Sequence, residues 1–262
     1  MLGGGSIPKR IHQIWLGRNP RPEPWMKTVR DFAAEHGYEY CLWTEEKVKD
    51  LDWDAIPGLQ AVYKEFGHEL AGRADLIRLL VLYKEGGIYI DADSVMMRPE
   101  KFAAFLEDNK AGLFFGWEEL SKARTKKLGD LGPGMTGTRR LVANGMIGAR
   151  VGHPFIKLLL ENVVANAEKE AGEQAWRRVG PLFVTRMYRR YKGKFPDIKI
   201  YPMRYFYPRH WKGITDPELH KKVRIPGESM LFQYGYSTNG FDKIFARRQE
   251  RERRRTRRLR KA

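Results

Sequence analysis

One segment limits the possible folds of this chain more than any other: a strongly apolar helix pattern that leads directly into a short apolar strand. Hydrophobic side chains cover almost the whole circumference of the helix predicted over about Leu70–Lys84. A helix of that kind must be mostly buried. The pair Gly86 and Gly87 ends it, and Ile88–Ile90 is predicted to enter the next strand. A buried helix followed at once by a buried strand is typical of layered α/β domains.

The first fifty residues show an alternation of strands and helices. An apolar strand over Arg10–Leu16 is followed by a helix over about Trp25–Glu35, an extended segment at Tyr38–Trp43 and a second helix that opens at Thr44. This alternation favours a central sheet whose strands run mostly parallel. We therefore predict an α/β fold with a mostly parallel central sheet, to which three later segments add strands: Ala111–Trp117, Gly145–Ala149 and Ile198–Tyr201.

The chain is strongly basic, and its charge is unevenly distributed. Its 262 residues carry 49 Lys and Arg against 32 Asp and Glu, a formal net charge of +17. The segment from Arg247 to Lys261 holds nine arginines and one lysine against two glutamates, a net charge of +8. A basic balance favours phosphate-bearing partners such as nucleotides, nucleic acids or anionic lipids. Because the segment lacks an apolar stripe, we predict a solvated tail, with an anionic membrane surface or RNA as the alternative partners.

Several classes of protein are excluded by what the sequence lacks. The single cysteine, Cys41, rules out a disulfide framework and zinc sites built on several thiolates. The longest apolar run, around Leu76–Tyr83, is interrupted by Arg78 and is far shorter than the roughly 20 residues that span a membrane. The Gly-rich start of the chain lacks the apolar core of a secretory signal. We therefore expect a cytoplasmic protein and leave peripheral membrane attachment open.

Asp91 and Asp93 are the strongest candidates for chemistry. They directly follow the predicted Ile88–Ile90 strand, at the sheet edge where open α/β sheets bind ligands. Two carboxylates at this spacing can bind one Mg²⁺ or Mn²⁺ only if the backbone turns, because alternate residues of a regular strand lie about 7 Å apart. An ion held there would bridge to a diphosphate and neutralise charge on a departing nucleotide. The same spacing occurs twice between residues 50 and 54, but in a polar stretch after a helix, where Asp is ordinarily solvated.

Asp75 and Arg78 are charged positions on the otherwise apolar helix. They are three residues apart on one face, where each would be costly to bury without a partner. Two interpretations stay open. In one, the two residues form an internal ion pair that holds the helix. In the other, Asp75 accepts hydrogen bonds from a ribose or sugar hydroxyl and Arg78 contacts a phosphate or sugar oxygen. Both interpretations predict burial, so burial does not distinguish them.

Three motifs together resemble those of one enzyme family. They are Ile7-Pro-Lys-Arg-Ile-His-Gln-Ile-Trp-Leu-Gly17, Ala74-Asp-Leu-Ile-Arg78 and Tyr83-Lys-Glu-Gly-Gly-Ile-Tyr-Ile-Asp-Ala-Asp93. They are similar to the DXD sugar-transferase family, which includes initiating α-mannosyltransferases, α-1,4-galactosyltransferases and bacterial capsule enzymes. Weaker likeness covers most of the remaining chain except the basic tail. The resemblance implies a GT-A fold, a nucleotide-diphosphate sugar donor, Mn²⁺ or Mg²⁺, and transfer with retention at the anomeric carbon.

The resemblance also implies roles for individual residues. Trp15 would stack on the donor base, because a flat indole suits any nucleobase; the structural alternative is a core aromatic at a strand end. Asp75 and Arg78 would bind sugar and nearby phosphate oxygens. Asp91 would contact the ribose and a metal-bound water, and Asp93 would ligate the metal directly. The predicted catalytic residues are therefore Asp91, Asp93, Asp75 and Arg78, and the predicted donor-binding residues are Trp15, Asp75, Arg78 and Asp91.

One departure from the family pattern concerns the metal. Many relatives carry a histidine, followed by serine and tryptophan, close to the C-terminus. The comparable segment here is Leu231–Gly240, which has no histidine. Gln233, Ser237 or Asn239 could supply an oxygen ligand of the kind these cations accept. An inactive relative stays an alternative.

Retention of configuration requires either two displacements or a front-face path. Asp75 and Glu118 are the candidates for a carboxylate nucleophile, and neither is an obvious one. We therefore favour a front-face path, in which the metal-stabilised diphosphate itself takes the acceptor proton.

The sequence predicts a metal-dependent retaining glycosyltransferase that moves a sugar from a UDP- or GDP-linked donor to a glycan, glycolipid or protein. The alternative is a basic protein that binds nucleic acid or a membrane surface through an α/β scaffold, without transferase activity. Nucleic acid is the less favoured partner, because the body lacks a recognition-helix or aromatic RNA-binding motif. We predict a flexible leader over residues 1–6, a GT-A domain over 7–244 and a basic tail over 245–262.

Overall fold

The first elements of the chain are a strand, a helix, a second strand and a second helix, in the order that the sequence predicts. The computed structural model describes residues 5–120 and 140–259. The strands in these ranges are β1 (Arg10–Ile14), β2 (Glu39–Trp43), β3 (Gly87–Ile90), β4 (Ser94–Met96), β5 (Leu113–Glu119), β6 (Arg140–Ala149), β7 (Ile198–Tyr201) and β8 (Leu231–Gln233). The α-helices there are α1 (Glu23–Glu35), α2 (Glu45–Val48), α3 (Leu59–Glu65), α4 (Leu70–Glu85), α5 (Pro99–Asp108), α6 (Pro154–Ala165), α7 (Ala175–Arg178), α8 (Pro181–Tyr191), α9 (Met203–Phe206), α10 (Leu219–Lys222) and α11 (Phe241–Leu259).

The central sheet has six strands in the order β2-β1-β3-β6-β5-β7. Strand β1 is parallel to β2 and β3, and β5 is parallel to β7, whereas β6 runs antiparallel to β3 and β5. The predicted mostly parallel sheet is therefore confirmed, with β6 as its antiparallel member. A separate two-stranded sheet joins β4 to β8. Because parallel strands end at one edge, the carboxyl ends of β1, β3 and β5 face the same side of the molecule.

Helix α4 is buried along most of its length, as its apolar pattern predicts. Leu76 and Ile77 are completely buried in the larger core cluster. Gly86 ends the helix with a φ of 64°, and Gly87 follows with a φ of 93°, conformations that favour glycine. A side-chain carbon on Gly87 would lie 2.6 Å from the Arg10 carbonyl oxygen. The two glycines therefore allow β3 to pack directly against β1.

Strand β3 is buried on both faces, so the residues that directly follow it, beginning with Asp91, have a fixed position. Tyr89 points into the core that contains α4 and α6. Ile88 and Ile90 point the other way, into a second core that includes Phe32 of α1 and Phe102 of α5. The end of β3 is therefore held rigidly between two helical layers.

Helix α11 begins inside the body and continues into the basic segment as far as Leu259. Phe241 and Phe245 are buried in an aromatic cluster with Trp25, so the predicted tail boundary at residue 245 falls within one continuous helix. The domain limits stay predictions, and residues 1–4 of the predicted leader and 260–262 of the tail lie outside the described residues. Among the helices that the structure describes, none has both the length and the apolar character needed to cross a bilayer.

His12 is a fully buried residue of β1 whose ring links neighbouring elements. Its Nδ1 accepts a hydrogen bond from the Trp43 indole at 3.1 Å, so Nε2 carries the proton and donates it to the Gly86 carbonyl oxygen at 2.9 Å. Burial is the largest cause that lowers the pKa of His12 to about 4. The folded protein therefore holds a neutral imidazole beside the turn that precedes β3.

The buried imidazole predicts a pH-dependent stability. The unfolded chain protonates His12 near the ordinary pKa of 6.5, so its stabilising contribution is complete above that pH and is lost as the pH falls toward 4. We expect the stability advantage of the wild type over His12→Asn to decrease by about 2 kcal/mol between about pH 7 and pH 5, measured by urea denaturation. Other titrating groups are common to both proteins and cancel in the difference. A constant advantage would contradict a neutral buried His12.

Candidate functional site

A turn at the end of β3 brings the two predicted metal-binding acids together. The Ser94 amide donates to the Asp91 carbonyl oxygen at 3.0 Å and closes the turn between β3 and β4. The Gln233 amide nitrogen contacts both acids, at 2.6 Å from Asp91 Oδ2 and 3.4 Å from Asp93 Oδ1. One small polar group therefore reaches both carboxylates, which a straight strand would hold about 7 Å apart. The turn that a shared cation requires is present.

Backbone amides from the segment after β8 hold Asp93 in place. The Tyr236 amide donates to Asp93 Oδ2 at 2.8 Å, and the Tyr234 amide donates to the Asp93 carbonyl oxygen at 3.0 Å. Burial and, second, the negative charge of Asp91 raise the pKa of Asp93 to about 7. Two acids confined at this separation repel each other, so a cation between them would relieve the repulsion.

Arg78 joins Asp75 and Asp91 in one ion-paired cluster. Its Nη2 lies 3.1 Å from Asp75 Oδ1 and 3.3 Å from Asp91 Oδ1. Tyr89 supports the cluster twice, because its hydroxyl donates to Asp91 Oδ1 at 2.7 Å and its ring centre lies 4.4 Å from the guanidinium. The Asn144 side chain donates to Asp75 Oδ1 at 2.9 Å. Burial raises the pKa of Asp75 to about 6, although Arg78 opposes this shift.

The ion pair bears on the two interpretations of Asp75 and Arg78. The internal pair of the first interpretation is present, and it extends to Asp91. Asp75 and Arg78 are only 7% and 6% exposed, so the arginine holds Asp91 from within the protein. Contacts of either residue with a sugar or phosphate oxygen stay predictions.

An irregularity in β6 shapes one wall of the site. After Ala143, the pairing of β6 with β5 skips residues 144–146. Within this stretch the Gly145 carbonyl accepts a hydrogen bond from the Asp91 amide at 2.8 Å. A side-chain carbon on Gly145 would lie only 2.5 Å from Asp91 Oδ2. Glycine at this position therefore leaves the space that the Asp91 carboxylate occupies.

Trp15 packs against the aromatic cluster that contains Trp25 and Tyr236. It directly follows β1 and is partly exposed, and its indole N–H donates to the Asn19 carbonyl oxygen at 3.0 Å. Its ring meets the Tyr236 ring edge-on, with centroids 5.0 Å apart and an angle of 87° between the planes. Because the Tyr236 amide binds Asp93, one residue connects the indole to the acids. Stacking of Trp15 on a base stays a prediction.

The two acids line a cleft of about 220 Å³. Glu118 and Trp211 also line it, and the Trp211 indole N–H donates to Glu118 Oε1 at 2.9 Å. A larger cavity of about 600 Å³, lined by Asn109 and Asp197 among others, lies where β5 and β7 begin. We place the site in the smaller cleft, because the converging acids line it.

The structure gives different positions to the residues considered as a third metal ligand. Gln233 contacts both acids, and Ser237 lines the cleft. The Asn239 amide is occupied elsewhere, because its Nδ2 donates to the Trp211 carbonyl oxygen at 2.7 Å and its Oδ1 accepts from the Gly213 amide at 2.9 Å. Asn239 therefore fastens the loop that carries Trp211. Metal ligation by Ser237 or Asn239 stays a prediction.

A second group of possible metal ligands comprises His12, Cys41 and Glu85, which can place one ligand atom each within 4.8 Å of one another. Both ring nitrogens of His12 already have partners, and Glu85 accepts a hydrogen bond from Arg10 at 2.8 Å. Burial raises the pKa of the Cys41 thiol to about 11, which disfavours the thiolate that binds metals. The acids of the cleft are therefore the better metal-binding candidates.

Sequence reasoning missed two tyrosines of the site. Tyr89 could have been found, because alternate residues of a strand share a face and Tyr89 is two residues before Asp91. Tyr236 holds Asp93 through its backbone amide. No side-chain pattern signals such a contact.

Residues 22–109 match the model of the glycosyltransferase sugar-binding region containing a DXD motif. The chain is also similar to inositol phosphoceramide mannosyltransferase 3 of Schizosaccharomyces pombe, with 27% identity over 220 residues, which cover 83% of this chain and 52% of the relative. Inositol phosphoceramide mannosyltransferase 2 of the same yeast is 27% identical over 203 residues, which cover 74% of this chain and 50% of the relative. The chain spans about half the length of these curated relatives.

Among solved structures, PaToxG glycosyltransferase is similar with a TM-score of 0.50 and 22% identity, over 71% of each chain. Likeness at this level of identity concerns the fold alone, and it agrees with the predicted GT-A architecture. Together the matches favour the sugar-transferase hypothesis over a scaffold that only binds nucleic acid or membranes. The chain is therefore an α/β protein of the GT-A fold, and its residues 22–109 are similar to the glycosyltransferase sugar-binding region containing a DXD motif.

Proposed function

We propose that this protein is a metal-dependent retaining glycosyltransferase that moves a sugar from a nucleotide-diphosphate donor to a hydroxyl of a glycan, glycolipid or protein. One observation carries the proposal: the turn after β3 brings Asp91 and Asp93 close enough for a single amide nitrogen to contact both. Converging carboxylates at the carboxyl edge of an α/β sheet suit a nucleotide-diphosphate site.

The donor atoms fit Mn²⁺ or Mg²⁺. Both ions prefer oxygen ligands, and Asp91 Oδ2 and Asp93 Oδ1 are the carboxylate oxygens that converge on Gln233. The Gln233 amide can rotate to present its oxygen instead of its nitrogen, since the two ends of an amide have the same shape. Asp93 and Asp91 would hold the ion, with Gln233 or Ser237, which line the same cleft, as further oxygen donors. When bound there, such an ion would neutralise the negative charge of the diphosphate leaving group.

The residues around the acids have separate tasks in this proposal. Arg78 and Tyr89 hold the Asp91 carboxylate through its Oδ1, which leaves Oδ2 directed toward Gln233. Trp15 stacks on the donor base. Asp75 and Arg78 orient the sugar and the adjacent phosphate oxygens. The leaving diphosphate takes the acceptor proton in a front-face reaction, and Glu118 is the carboxylate on the cleft wall that a double displacement would require.

The relatives guide the choice of substrates. They are named for mannosyl transfer to inositol phosphoceramide, so GDP-mannose and a phosphoinositol-bearing glycolipid are the first pair to test, with UDP-linked sugars next. We place the enzyme in the cytoplasm or on a membrane surface facing it. The basic composition, with a net charge of +17, favours phosphate-bearing substrates of this kind.

Thermal unfolding with and without Mn²⁺ tests the site and the donor together. We expect GDP-mannose or a UDP-sugar to raise the Tm by about 5 °C or more when Mn²⁺ is present, and by much less without the ion. Gly145→Ala is expected to remove most of this metal-dependent rise, because the new methyl group would displace the Asp91 carboxylate. The second measurement, in the same protein samples, is the amount of nucleoside diphosphate that is released from the donor.

Gly193→Ala is the matched control, since a side-chain carbon at Gly193 meets nothing within 4 Å. This variant is expected to bind donor and metal like the wild type. If no nucleotide sugar raises the Tm of folded protein in either the presence or the absence of Mn²⁺, the proposed donor site is wrong. If Gly145→Ala binds donor and Mn²⁺ as well as the wild type does, binding of the ion does not depend on the position of the Asp91 carboxylate.

A further inference from the structure

The basic end of the chain is a continuous extension of the body. Helix α11 runs from Phe241 to Leu259, so it enters the segment of nine arginines and one lysine that begins at Arg247. A helix rises about 1.5 Å per residue, so the described residues after Phe245 extend about 20 Å along the helix axis. The described part of the basic segment is therefore helical backbone continuous with the body, as far as Leu259.

Aromatic packing anchors the first turns of this helix. Trp25 contacts Phe241 and Phe245 edge-on, with ring centroids 5.1 and 4.9 Å apart. Phe245 also stacks against Tyr236, with centroids 5.9 Å apart and an angle of 25° between the planes. The Tyr236 amide binds Asp93 in the cleft. The base of the helix and the acids of the site are therefore connected through one residue.

Beyond Phe245 the helix presents charge rather than an apolar face. Arg247, Arg248 and Arg251 are exposed, and Leu259 is the only large aliphatic residue after Phe245 in the sequence. Such a helix cannot insert an apolar stripe into a bilayer, as interfacial amphipathic helices do. It can still bind an anionic surface, because clustered basic residues are attracted to acidic headgroups without insertion.

We propose that α11 binds the surface of a membrane containing anionic phospholipids and thereby holds the edge of the molecule that carries the cleft at that surface. The helix starts in the aromatic cluster next to the Gln233–Tyr236 segment that contacts the acids. A lipid surface therefore meets the molecule beside the cleft. We favour a membrane over RNA as the partner of α11 because a glycolipid acceptor would lie in a membrane. This choice rests on the proposed function.

Vesicle sedimentation of the full chain tests the proposal. The probes are vesicles of phosphatidylcholine with about 30 mol% phosphatidylserine and vesicles of phosphatidylcholine alone. We expect the protein to sediment with the anionic vesicles only, and to be released as NaCl is raised from about 50 to 500 mM, since salt screens surface charge. The triple variant Arg247→Gln, Arg248→Gln, Arg251→Gln is expected to bind about 100-fold more weakly, at about fivefold for each arginine lost from the surface.

The triple variant Arg190→Gln, Lys192→Gln, Lys194→Gln is the matched control. It removes the same charge from exposed positions just before β7, and it is expected to bind the anionic vesicles like the wild type. Glutamine preserves helix propensity, so circular dichroism should show both variants folded.

Three outcomes would overturn the proposal. They are equal binding to both kinds of vesicle, equal weakening by the two triple variants, and binding of a single-stranded RNA at salt concentrations that abolish vesicle binding. None of these readouts involves a nucleotide sugar. Absence of donor binding would therefore contradict the proposed function alone. Absence of vesicle binding would contradict the proposed membrane binding by α11 alone.

Discussion

Asparagine in place of Asp93 is expected to abolish sugar transfer and to leave a folded protein. Asparagine keeps the size of the side chain and an oxygen for the Tyr236 amide, but it removes the charge that a divalent cation requires. Removing an electrostatic group at a reacting centre costs hundreds-fold, and removing a direct metal ligand costs more, so we expect a loss of at least about 1000-fold. Transfer is measured as nucleoside diphosphate released in buffered Mn²⁺.

The pKa of Asp93 indicates how this substitution affects folding. Burial and the Asp91 charge raise that pKa to about 7, from an ordinary value of 3.8. A raised carboxyl pKa means that the ionised form is less favourable in the folded protein than in the unfolded chain, and the penalty is complete above the folded pKa. Without metal, the Tm of Asp93→Asn at about pH 8 should therefore equal or exceed that of the wild type.

Asp54→Asn is the matched control for Asp93→Asn. Asp54 belongs to the Asp-x-Asp repeat between residues 50 and 54 and is exposed, so its loss should leave transfer unchanged. Metal-dependent transfer by Asp93→Asn within about tenfold of the wild type would show that the acid is not a ligand. A marked drop in Tm would show that Asp93 mainly stabilises the fold.

The parts of the fold that the sequence predicted are those set by local patterns. The apolar circumference of the helix over Leu70–Lys84, the pair Gly86 and Gly87, and the strand that follows are adjacent in sequence and require no distant partner. Burial of that strand on both faces then follows from its lack of polar residues. The position of Asp91 at its end was therefore predictable, and the turn that brings Asp93 near it was predicted as a condition for metal binding.

The parts that local patterns could not give are long-range contacts. Gln233 meets Asp91 only because β8 pairs with β4, with Ser94 opposite Gln233. Asn144 reaches Asp75 because β6 skips residues in its pairing with β5. Such contacts depend on strand register and on irregularities that a single sequence does not show. The contact of Arg78 with Asp91 likewise joins two elements, whereas its pair with Asp75 lies within one helix and is one of the two interpretations that the spacing allows.

Removal of the Arg78 guanidinium is expected to give the largest loss of stability among the single substitutions discussed for this site. Arg78→Met fills similar space but removes the guanidinium that pairs with both the largely buried Asp75 and the partly buried Asp91. Breaking a buried ion pair from one side costs about 3–5 kcal/mol, because the remaining charge is desolvated and unpaired. Urea denaturation of the metal-free protein measures this cost. Arg30→Met is the matched control, since its pair with Glu23 is exposed on both sides and should contribute less than about 1 kcal/mol.

A second substitution separates lost charge from lost packing. Asp75→Asn in the Arg78→Met background should recover part of the stability, because it removes one of the two unpaired charges. The Arg78→Met penalty should also be smaller at about pH 5 than at about pH 8. Burial already raises the pKa of Asp75 to about 6, and loss of the arginine raises it further, so protonation at lower pH neutralises the unpaired acid. A penalty that is equal at both pH values, with no recovery in the double variant, would mean that Arg78 contributes through its packing on Tyr89 and not through its charge.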